Sequence, residues 1–148
     1  GNPIAMRDRA AYKAANESVA SSTTLQNDDN LVLAVEASTV WTFECFLIVS
    51  GAAAGDIKIA FTAPTGATLN WGAIGFDTAD AFSTPVVSGS GTTQNFGVAA
   101  SSRTILIRGT LVVSTTAGNL QLQWAQVVSD VTATVVATGS HITAHQIS

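Results

Sequence analysis

The sequence predicts an all-β chain: an antiparallel jelly-roll sandwich of about eight to nine strands behind a short N-terminal arm. Three observations point there. Apolar and polar residues alternate in segment after segment beyond residue 20. Clusters of Gly, Pro, Asn and Asp punctuate those segments at short intervals. No segment of the body shows helical periodicity, and no exact repeat suggests a propeller or solenoid. At 148 residues the chain fits one domain with a real core, divided into an arm (1–20) and a jelly-roll body (21–148).

The arm, MRDRAAYKAANESVA at 6–20, has good helix formers but a thin apolar stripe, so it is read as a short helix or an extended appendage. NDDN at 27–30 reads as a turn, because Asx side chains bond their own backbone. LVLAVEA follows, and then TVWTFECFLIVSG at 39–51, the strongest strand. It sets Trp41, Phe43, Cys45, Leu47 and Val49 on one face. Its other face turns from polar to apolar at Phe46 and Ile48, and is expected to be covered near that end. DIKIAFTAP at 56–64 alternates, with Ile57, Ile59 and Phe61 inward. ATLNWGAIGFD at 67–77 is a strand interrupted by Gly72 and Gly75. Residues 77–95 read as loop. RTILIRGTLVVS at 103–114, LQLQWAQVVS at 120–129, VTATVVATG at 131–139 and SHITAHQI at 140–147 complete the strands.

Charged residues make up only 11%, against roughly 25% in an ordinary soluble domain. In their place stand 14 serines and 19 threonines. A surface rich in hydroxyls and poor in charge suits a chain partly covered by other protein, since charge keeps free monomers apart. The net charge of −4 is uneven: three cations against two acids in residues 1–20, three against eight beyond. With no basic stripe to displace counter-ions, nucleic acid is not an expected partner. No apolar run reaches the ~18 residues of a membrane span, and the N-terminus lacks the apolar core of a secretory leader. Asn16-Glu17-Ser18 is a formal glycosylation triplet of the kind common by chance. Cys45 is the only cysteine, which excludes an internal disulfide and fits a small core residue.

No catalytic residues are assigned. A Ser-His-Asp hydrolase needs an activating base, and the two histidines both fall in the last strand. No G-x-S-x-G elbow occurs, SGSGTTQ lacks a Walker lysine, and nothing marks Glu36 and Glu44 as a glycosidase pair. An enzyme would need a pocket gathering His with Asp or Glu, which is not expected. His141 and His145 stand roughly 13 Å apart on a strand, too far to share a zinc with bonds of about 2 Å. Only a ring of one His from each of three chains could hold an ion, so no metal and no cofactor is expected. Asp28, Asp29, Asp77 and Asp80 read as turn acids. Trp41 and Trp124 lie on apolar parities, whereas Trp71, flanked by glycine, and Phe82 are the candidates for ligand contact.

The ordered series SSTTLQNDDNLVLAV, VWTFECFLIV, DIKIAFTAPTGA, RTILIRGTLVV, TAGNLQLQWAQ and GSHITAHQI, over residues 19–147, resembles small structural proteins and fibre domains of tailed bacteriophages. The resemblance implies a trimeric jelly-roll module, similar in layout to tumour-necrosis-factor and C1q-like domains, set on a capsid as decoration or head fibre, or on a tail. It carries no catalytic residues. The expected partners are two further copies of the chain, a major capsid or other virion protein, and in the alternative a host-surface glycan; the expected location is the virion surface. Arg7, Arg9, Tyr12 and Lys13 would make the capsid attachment. Gln121 and Gln123, opposite Leu120, Leu122 and Trp124, would face a neighbouring strand or protomer, because amides donate and accept without a counter-ion; a solvated outer face is the alternative.

Overall fold

The computed structural model describes residues 6–148. Among them there are thirteen strands: β1 (Asp8–Tyr12), β2 (Glu17–Val19), β3 (Gln26–Val35), β4 (Val40–Ser50), β5 (Ile57–Thr62), β6 (Thr68–Phe76), β7 (Phe82–Ser83), β8 (Val86–Ser88), β9 (Gln94–Phe96), β10 (Arg103–Val112), β11 (Gly118–Ala125), β12 (Thr134–Val136) and β13 (His141–Gln146). They form two antiparallel sheets packed as a jelly-roll-like sandwich, the fold class the alternation predicts. The large sheet runs β1-β13-β4-β10-β6, with β7 and β8 along β6 and β12 joining β4 to β2; the small sheet runs β3-β11-β5-β9.

The inward parity of each strand fills the space between the sheets. Trp41, Phe43, Cys45, Leu47 and Val49 from β4 meet Ile57, Ile59 and Phe61 from β5 and Leu120, Leu122 and Trp124 from β11, all buried. Phe61 lies at the centre, 5.4 Å from the Phe43 ring and 5.3 Å edge-on to Trp71. Burying one such side chain contributes about 1.5–3 kcal/mol. The packing also dictates a glycine: a Cβ at Gly109 would stand 2.4 Å from Phe43 Cζ and 2.6 Å from the Asn70 carbonyl.

Four sequence expectations change. Residues 8–12 and 17–19 take the extended alternative, not the helical one, and are strands of the large sheet: β1 pairs along β13 and β2 along β12. Alternation in DRAAY and ESV is too short to be told from a helical stripe, and the sheet edges decide it. NDDN is not a turn between strands but an irregularity inside β3. Gln121 pairs with Val32 while Gln123 pairs with Asn27, so the register slips there. Asp28 causes this by turning inward, its Oδ1 accepting from the backbone N–H of Asn30 and Leu31 at 2.9 and 2.8 Å. Residues 77–95 carry β7, β8 and the start of β9, and only 134–136 of 131–139 are strand.

Candidate functional site

The outward parity of the large sheet forms three cross-strand rows. The first joins Asp8, His145, Thr42, Thr110 and Asn70. The second joins Ala10, Thr143, Glu44, Arg108 and Gly72, with Val86 of β8 beyond. The third joins Tyr12, His141, Phe46, Leu106 and Ile74. Register alone sets these rows, because opposed residues of antiparallel strands hold their Cβ atoms about 5 Å apart.

The rows differ in chemistry. In the charged row Arg108 and Glu44 are paired at 2.8 Å, both well exposed. In the polar row His145 Nδ1 lies 2.5 Å from Asp8 Oδ1. These two pairs line one shallow concavity of about 800 Å³, with Thr42, Thr110 and Thr143 between them. The third row is open and, His141 apart, apolar: Tyr12 is 63% exposed, Ile74 50% and Leu106 40%. The Phe46 ring lies 5.4 Å from His141. A second, smaller hollow of about 260 Å³ opens beside Ile74 and Leu106. The expectation that no pocket gathers His with Asp or Glu is therefore corrected. Cross-strand pairing of β1 with β13 brings Asp8 to His145 across 137 residues, which no sequence motif signals. Among the described residues no hydroxyl hydrogen-bonds to this imidazole.

A second cluster lies inside the molecule. Lys13, fully buried, leaves β1 and points into the sandwich. Its Nζ donates to Glu17 Oε1 at 2.7 Å, to both oxygens of Asp28 at 2.9 and 3.1 Å, and to Asn30 Oδ1 at 3.2 Å. Trp124 Nε1 donates to Asp28 Oδ2 at 3.0 Å. Burial acts to lower the Lys13 pKa, but the bonds to Glu17 and Asp28 outweigh it and hold the ammonium above its ordinary value. Nearby, burial first and the Asp28 charge second push the Cys45 thiol up, so this cysteine is an inert core residue.

The sequence-predicted site residues fall as follows. Lys13 cannot touch a capsid surface, because its charge is enclosed. Arg7 and Arg9 both bind Glu36, Arg7 at 2.6 Å, and Arg9 lies 5.9 Å over the Trp41 ring. Tyr12 alone of the four stands free. Trp71 is 1% exposed, in contact with Phe61, so it is no ligand platform: it shares the inward parity of β6 with Leu69 and Ala73, and Gly72 falls on the outward one. Phe82 is 70% exposed, on the short β7 beside Phe76. Gln121 reaches the neighbouring strand of its own chain, donating to the Asp28 carbonyl of β3 at 3.0 Å, and it also donates to the carbonyl of Leu122 beside it at 2.8 Å. Gln123 donates to Asn27 Oδ1 at 2.8 Å. His141 and His145 are exposed on one face of β13, as their spacing requires.

Sequence reasoning missed Asp28, Glu17 and the apolar row. The broken alternation at NDDN was a signal for the first. Apolar residues on both parities of β4 and β10 were a signal for the row, noticed only at Phe46 and Ile48.

No protein-family model matches this chain, and no curated protein matches it. Solved structures that it resembles include the Gt strain of infectious bursal disease virus, at 14% identity and a TM-score of 0.23, covering 95% of this chain and 39% of that one. The VP2 subviral particle of the same virus shares 14% identity, with a TM-score of 0.23, over 95% and 40%. A T=1 particle derived from it shares 13%, with a TM-score of 0.27, over 95% and 38%. The chain thus spans about two fifths of the length of these structures.

Proposed function

We propose that this chain is a noncatalytic virion structural protein that assembles as a homotrimer on the particle surface, as a capsid decoration or head fibre. One observation carries the reading: the open row Tyr12–His141–Phe46–Leu106–Ile74, apolar apart from one imidazole and bordered by the Glu44–Arg108 pair, on a molecule otherwise poor in charge. Contiguous exposed apolar surface with a polar rim marks an interaction site. The rim chemistry suits self-association, since Glu44 and Arg108 of one copy could exchange partners with those of another. The three-fold order and the phage setting rest on the sequence resemblance. The noncatalytic reading rests on the openness of the Asp8–His145 pair, where water is not excluded from either side chain.

Attachment to the particle would use the N-terminal end, through the exposed Arg7 rather than through Lys13, which is enclosed, or Tyr12, which the trimer contact would cover. The second reading, a receptor- or glycan-binding tail-fibre domain, is favoured by one feature, the exposed aromatic Phe82 next to Phe76. Under it Phe82→Ala would abolish cell or glycan binding and leave the mass in solution unchanged.

The test of the first reading is Leu106→Glu, examined by light scattering on a sizing column. The wild-type chain should run with three times the mass of one chain, and the variant as a folded monomer. A wild-type chain that stays monomeric at micromolar concentration would sink the proposal.

A further inference from the structure

We infer that Lys13 and Asp28 form an intramolecular isopeptide bond, made by the protein on itself with Glu17 as the proton shuttle. The geometry is that of reactants already in contact. Nζ stands 2.9 and 3.1 Å from the two carboxylate oxygens, and Glu17 Oε1 stands 2.7 Å from the same nitrogen. Water is excluded, since both side chains of the pair have no exposed surface. Holding reacting groups in place converts a bimolecular step into a unimolecular one, with effective molarities on the order of 10⁵ M or more.

The step balances within the cluster. The Lys13 ammonium gives one proton to Asp28 Oδ2, leaving a neutral amine beside a carboxylic acid. The Nζ lone pair attacks Asp28 Cγ, and the carbonyl electrons move onto Oδ1. There the N–H groups of Asn30 and Leu31, at 2.9 and 2.8 Å, form a ready-made oxyanion hole. Glu17 takes a second proton from the nitrogen and delivers it to Oδ2, its next neighbour across Nζ. The Cγ–Oδ2 bond breaks, one water leaves, and the third nitrogen proton stays on the amide. Trp124 Nε1–H, bonded to Oδ2, helps the oxygen depart. No oxidant, metal or second molecule is needed. The first proton transfer, along the 2.9 Å contact, is a pre-equilibrium that sets how much neutral amine is available for the attack. The bond would fasten the residue after β1 to the beginning of β3, so that a pull on the N-terminal end could peel β1 from β13 but would stop at the covalent link, leaving β2 unloaded.

The experiment is mass spectrometry of the purified full chain, intact and after denaturation and trypsin. The expected result is a chain lighter by one water, with a peptide from Ala10 to Lys58 that trypsin no longer cuts after Lys13. Glu17→Gln should keep its full mass and remain cleavable at Lys13, while circular dichroism shows the same β fold. A wild-type chain of full mass, cut after Lys13, overturns the inference. So does a one-water loss that leaves Lys13 cleavable, the mark of a cyclic imide at Asp28. Loss of ammonia in place of water would move the link to Asn30 and overturn the assignment to Asp28. Cross-linking of Glu17→Gln as complete as in the wild type would remove Glu17 from the step.

Discussion

The indole N–H of Trp124 donates to Asp28 Oδ2 at 3.0 Å, across 96 residues of chain. That bond joins the late strand β11 to the irregularity of β3, and the same carboxylate holds Lys13. One inward-turned aspartate therefore ties the N-terminal strands, the small sheet and the core together. Trp124→Phe keeps most of the ring and removes the donor. In the chain before cross-linking it should cost about 1–3 kcal/mol, the effect of leaving a buried acceptor one partner short, read as a lower urea midpoint at unchanged slope.

Lys13→Met leaves Asp28 and Glu17 facing each other without their cation. Breaking a buried pair from one side costs about 3–5 kcal/mol, and the isopeptide link is lost with it, so this variant should melt well below the wild type. Asp28→Asn in the Lys13→Met background should recover part of the loss, a non-additivity that a double-mutant cycle measures.

Two titrations bound the stability against pH. Lys13, where it carries a free ammonium, has a folded pKa above its ordinary 10.5. Its contribution is complete below that value and is lost as pH rises through the folded pKa. Glu36 is pushed up by burial but pulled down further by its own backbone N–H and by Arg7 and Arg9. Its contribution is present above the ordinary value of 4.5 and lost as pH falls through the lowered one. Thermal melts should fall at both extremes, and Glu36→Gln should flatten only the acid side.

The two glutamines of β11 should behave differently. Gln121→Ala deprives the Asp28 carbonyl of its amide donor at the register slip, whereas Gln123→Ala removes an exposed contact to Asn27. Gln121→Ala should lower stability by about 1 kcal/mol and Gln123→Ala by about half that or less, both by urea unfolding.

Removing residues 1–19 takes away β1 and β2 and bares the edges of β13 and β12. Open edges template aggregation. The truncated chain should unfold at lower temperature and aggregate, measured by light scattering during a melt, so it cannot serve as a clean test of attachment. Arg7→Ala, assayed for particle binding, tests attachment and leaves both the backbone of β1 and the Tyr12 row in place.

The alternation in VWTFECFLIV, DIKIAF and LQLQWA determined the sandwich and its core by itself, because a period of two assigns each side chain to a face before any partner is known. What it left undecided was which strands lie side by side. The burial of Trp71 beneath its neighbours, the reach of Gln121 to its own chain, the contact of Asp8 with His145 and the enclosure of Lys13 by Glu17, Asp28 and Asn30 all depend on pairings of residues far apart in sequence. Local spacing says which way a side chain points, but only the closed sheets decide what it meets.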